Sequence, residues 1–149
     1  MRRRAATLLF LAGSSLAVIA QQVPDFNAWM KQQDAAMLEL RKLESKVGPQ
    51  ATRNAERIGG AYEEMIGFFR QQGGKDAVKW SEEGKAAAAR LATAAYAGKA
   101  GEAAAAFKVI ADNCNSCHKV YRTRLPDGRY AFTSEQQREA AAKKAAPAK

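Results

Sequence analysis

The sequence holds a single histidine, His118, and two cysteines, Cys114 and Cys117. A zinc site would have to complete its ligand set from carboxylates, because no third cysteine or second histidine exists to give. No stretch alternates apolar and polar residues with period two as a half-buried strand does, which excludes a sheet-based fold. The longest apolar run, Ala5 to Ala20, falls short of the roughly 20 residues a membrane-spanning helix needs. Acidic residues are scarce, 15 against 24 Lys and Arg, for a net charge of +9. A basic chain invites a nucleic-acid reading, but there is no basic stripe interleaved with aromatics to carry it.

What is present starts with the leader. Met1-Arg2-Arg3-Arg4, an apolar stretch without acids and Val18-Ile19-Ala20 before Gln21-Gln22 form the layout of a secretory signal peptide. Residues 1–20 are therefore expected to be removed after Ala20, in a periplasmic protein with no membrane anchor after cleavage. The remaining 129 residues make one domain. Removing three arginines leaves 21 Lys and Arg against 15 acids, or +6, which favours acidic partners modestly.

Four stretches carry helical periodicity. The first, about 26 to 47, aligns Phe26, Met30, Met37, Leu40, Leu43 and Val47, with Asp25 as N-cap and Gly48-Pro49 as stop. The second, about 51 to 71, sets Ala51, Ala55, Ile58, Tyr62, Met65 and Phe69 on a heptad seam before Gly73-Gly74. The third, about 76 to 97, presents a line of mostly small residues: Ala77, Ser81, Gly84, Ala88, Leu91 and Ala95. Small side chains allow close helix approach or leave room for a bulky group. The fourth, about 102 to 122, repeats the seam with Ala103, Phe107, Ile110, Cys114, Cys117 and Tyr121.

Four helices of about 20 residues, each about 30 Å long and joined by short loops, predict an all-α, antiparallel up-down-up-down four-helix bundle. The first and fourth helices should lie side by side. The domain so defined spans residues 21–133. Leu125-Pro126-Asp127-Gly128 predicts a turn that returns Tyr130 and Phe132 over the bundle end, and 134–149 is an Ala- and Lys-rich C-terminal tail.

The chemistry lies in Cys114-Asn115-Ser116-Cys117-His118. This is C-x-x-C-H, the attachment signature of haem c. Side chains three apart share a helix face, so two thiols can form thioethers to the two vinyl groups of one porphyrin while the adjacent imidazole reaches the iron. The rival is an oxidoreductase dithiol or a closed disulfide, but such motifs sit at a helix start in a βαβ context.

Cys114-Asn115-Ser116-Cys117-His118-Lys119-Val120-Tyr121-Arg122, near the end of the last of four helices, resembles the cytochrome c prime family. The resemblance implies His118 as proximal iron ligand, Arg122 near the haem, and pairing of two copies through their first two helices. In one branch of that family an apolar side chain of the first helix covers the sixth iron position; in another a methionine binds it. Trp29-Met30-Lys31 through Met37-Leu38 resembles the methionine-ligated branch, with Met30 as the ligand, while Phe26 departs from members that carry Arg there. Lys31 and Arg53 are candidates for propionate contacts. Two functions follow. With Met30 on the iron the protein is an electron carrier with an unidentified redox partner protein and no catalytic residues. With a five-coordinate iron it is a gas-binding or sensing protein for NO or CO, its pocket walled by Trp29, Met30 and Phe69. A peroxidase-like enzyme would want a distal acid/base, and there is no second histidine.

Overall fold

The structure, a computed structural model, describes residues 17–126, 128 and 130–134, with side chains from Phe26 onward. Residues 1–16 of the expected leader, Asp127 of the expected turn and residues 135–149 of the expected tail lie outside the described residues.

The elements are α1 (Ala17–Lys42), α2 (Pro49–Gln71), α3 (Lys75–Tyr96), α4 (Ala100–Tyr121), β1 (Arg122–Arg124) and β2 (Tyr130–Phe132). The all-α four-helix bundle is as expected, and both inner seams hold. Every seam residue of α2 is buried, as is every residue of the small-residue line on α3. Phe69, Leu40, Ile58, Leu91 and Ile110 form the fully buried centre.

α1 departs from expectation at both ends. It begins upstream, so Asp25 lies inside the helix and is not its cap, and it ends at Lys42 instead of Val47. The residue before a proline is biased away from helical geometry, so the chain must leave the helix before Pro49. It does so early, and Gly48 takes φ 90°, with its N–H on the Ala95 carbonyl at 2.9 Å. Leu43 and Val47 still pack on the core from the non-helical segment, and Lys46 lies 5.2 Å over the Phe107 ring.

The small line of α3 serves close approach. A Cβ on Gly84 would fall inside the van der Waals envelope of the Tyr62 ring, whereas one on Gly59 would make ordinary contact with the Ala88 methyl at 3.7 Å. Of the two uses open to that line, close approach or room for a bulky group, the structure takes the first: Ala88 and Leu91 are packed into the core.

The cleft beside the attachment motif lies between α1 and α4. Each sequential helix pair packs closely, but α1 and α4 do not pack closely side by side. A cleft of about 400 Å³ opens between them, lined from α1 by Met30, Lys31 and Asp34 and from α4 by Cys117, His118 and Arg122. Its end is closed by the one feature that the absence of period-two alternation did not foresee. β1 and β2 pair antiparallel, Arg122 opposite Phe132 and Arg124 opposite Tyr130. Strands of three residues are too short to display a period. The return itself is as expected for Phe132, which joins Phe26, Phe68, Phe69 and Tyr121 in one aromatic cluster. Tyr130 remains 56% exposed and takes the Arg122 guanidinium on its ring, 4.2 Å from the centroid.

Candidate functional site

The last turns of α4 carry the attachment motif into the space beside α1. Cys117 and His118 line the large cleft, and both, with Cys114, also line a second cavity of about 20 Å³ that runs inward to Tyr62 and Gln33. Helical spacing puts Cys114 and Cys117 on one face, as the thioether chemistry needs. Neither thiol is bonded to the other.

Their protonation argues against dithiol chemistry. Burial pushes the Cys117 thiol up to about 12, with the neighbouring Cys114 adding to the shift. Burial also raises Cys114, partly offset by a hydrogen-bonding contact between its Sγ and the Tyr62 hydroxyl at 3.4 Å. A redox-active thiol is poised by a lowered pKa, the opposite direction. His118 is half-buried, and burial followed by the charge of Arg122 lowers its pKa. The imidazole is thus held neutral, the form in which it ligates a metal. Among the described residues no group of three or more His, Cys, Asp or Glu is placed to hold a metal ion, as zinc would require.

The two methionines of α1 separate cleanly. Met37 is 4% exposed in the core, whereas Met30 lines both cavities opposite His118. Lys31 lines the cleft, while Arg53 does not and is exposed on α2. Of the three expected pocket walls only Met30 lines the cavities. Phe69 is buried in the aromatic cluster, and Trp29 packs against Phe26 and Phe68. Arg122 lines the cleft, and its guanidinium rests on Tyr130.

The cleft fits a porphyrin on the chemistry of its donors: two thiols and one imidazole on α4 face a thioether on α1. Three polar residues at its inner end were not singled out from sequence: Gln33, Tyr62 as a hydroxyl, and Asn113. Gln33 stands in the apolar stripe between Met30 and Met37, and that misplaced polarity was the available signal.

The family model described as Cytochrome C' matches residues 69–122, from the end of α2 through the attachment motif to Arg122. Over those residues the chain is similar to the cytochrome c′ family. Neither a curated protein nor a solved structure matches it. A cytochrome c′ is a c-type haem protein with covalently bound haem c, and this chain's only two cysteines stand three residues apart.

Proposed function

We propose that this protein is a periplasmic mono-haem electron carrier, with Cys114 and Cys117 forming the thioethers, His118 the proximal ligand and Met30 the distal ligand. The observation that carries the reading is the placement of Met30 and His118 on opposite helices, lining the same cleft, with Met37 withdrawn into the core.

The bound haem supplies the one-electron couple; the chain supplies its environment. His/Met ligation raises the reduction potential. The Arg122 guanidinium, pinned on Tyr130, places a fixed positive charge beside His118 and favours the state with the added electron. Phe26, Phe68 and Phe132 keep water from the end of the cleft. Filling the sixth position removes any substrate step, so no catalytic residue is assigned. The basic surface suits a brief encounter with an acidic redox partner.

The gas-binding reading has one observation on its side. The 20 Å³ beside Met30 accommodates about one small molecule. The optical spectrum of matured protein decides between them. For the carrier, we expect a low-spin spectrum in both oxidation states, a sulfur-to-iron charge-transfer band in the ferric form and no shift with CO, all lost in Met30→Ala. A high-spin spectrum with ready CO binding, unchanged by Met30→Ala, would establish the gas-binding reading instead.

A further inference from the structure

Positive charge along α4 is neutralised at one end of the helix and left open at the other. Lys99 and Lys108 each hold a carboxylate within one turn, Glu102 at 2.9 Å and Asp112 at 2.7 Å. Asp112 is the last acid of the helix, and residues 113–126 contain none while adding Lys119, Arg122 and Arg124. The residues three and four positions from Lys119 are Asn115, Ser116, Arg122 and Thr123, and none of them can neutralise it. Among the described residues no carboxylate lies within 4 Å of any of these three cations.

The three gather at one place. Lys119, Arg122 and Arg124 are exposed and line a hollow of about 390 Å³ together with Asn115, His118 and Tyr130. Pairing of β1 with β2 sets Arg124 opposite Tyr130, whose ring carries the Arg122 guanidinium at 4.2 Å. A ring orders a guanidinium without neutralising it, so the charge stays available and less side-chain freedom is lost when an acceptor arrives. Asp34 lines the neighbouring cleft from α1 but not this hollow. The hollow is too roomy for one inorganic anion, and three cations fall short of the about four to eight that mark an anionic lipid site. Carboxylates carried on a protein surface fit both the room and the charge, with Tyr130, 56% exposed, as an aromatic contact among them.

We infer that the last turn of α4 and β1 form the docking face for an acidic partner protein, whose carboxylates are taken by Lys119, Arg122 and Arg124. The inference rests on the carrier reading for the partner being a redox protein, and not for the charge of the surface that it meets. His118 lines the same hollow, so a partner seated there stands beside the ligating imidazole.

The test uses the matured, haem-loaded protein and a fluorescently labelled poly-glutamate peptide, with binding read by anisotropy at about 20 mM and about 150 mM ionic strength. Lys119→Glu with Arg124→Glu should weaken binding about tenfold or more at the lower ionic strength, and Lys119→Gln with Arg124→Gln should fall between that pair and the unsubstituted protein. Lys79→Glu with Arg90→Glu, which changes the net charge equally at exposed positions of α3, should weaken it less than about threefold. Equal weakening by both reversed pairs overturns the inference, because net charge alone would then explain the binding. So does capture of phosphatidylglycerol vesicles through Lys119 and Arg124 without capture of the peptide, which would make the face a membrane contact. Peptide binding as expected beside a high-spin, CO-binding spectrum sinks the carrier reading alone and leaves the docking face standing.

Discussion

Between α2 and α3 the interface is made of side chains too small to keep the helices apart, with the Tyr62 ring lying against the bare backbone of Gly84. Between α1 and α4 the facing residues are Met30, Lys31 and Asp34 against Cys117, His118 and Arg122, and about 400 Å³ separates them. Both halves belong to one bundle and share its centre at Leu40, Ile58, Leu91 and Ile110. The first half is complete as protein. The second presents apolar and ligating groups to a gap that protein does not fill, and α1 is held there by its packing on α2 and the core. Helix packing therefore supplies a rigid wall on one side and a receptive slot on the other.

The contrast can be broken most severely at the slot. Replacing both thiols, Cys114→Ala with Cys117→Ala, should abolish covalent haem, read as complete loss of the Soret band after denaturation and extraction. Amide exchange in α1 should then accelerate well above that of α2 and α3. Equal protection across all four helices would show that the slot does not depend on its cofactor. On the complete side, Leu91→Ala should cost about 2–5 kcal/mol in urea unfolding, while Met30→Ala in the haem-free chain should cost less than about 2 kcal/mol, its side chain being only half-buried. Equal costs would erase the distinction between the halves. The smallest effect belongs to the surface. Arg70 and Glu82 pair at 2.8 Å between α2 and α3, both side chains well exposed, so Arg70→Ala should change stability by about 1 kcal/mol or less in the same assay.

Much of the fold was legible in the residues. The α2 seam from Ala51 to Phe69 and the α3 line from Ala77 to Ala95 are buried as their spacing predicts, because 3.6-residue periodicity places each on one face whatever the partner. Helix ends were less legible. Asp25 has a capping side chain but lies within α1, and α1 stops at Lys42 because a left-handed Gly48 tied to the Ala95 carbonyl governs that corner. That contact joins residues 47 apart in sequence. The pocket walls were misplaced for the same kind of reason. Phe69 has the right helical phase to face a cofactor, but Phe26, Tyr121 and Phe132 claim it first.

The sequence by itself determined what is local: four amphipathic stripes, the Cys114-Cys117-His118 attachment motif with its position late in the chain, and a basic surface. Each depends on residues a few positions apart, and local spacing is enough to specify it. Tertiary structure decided what depends on distant pieces meeting. It separated Met30 in the cleft from Met37 in the core, opened a cleft beside the attachment motif between α1 and α4, and brought Gln33, Tyr62 and Asn113 from three helices to one cavity. The distance between two helices is set by the summed bulk of side chains on both, and no single stretch of chain contains that sum.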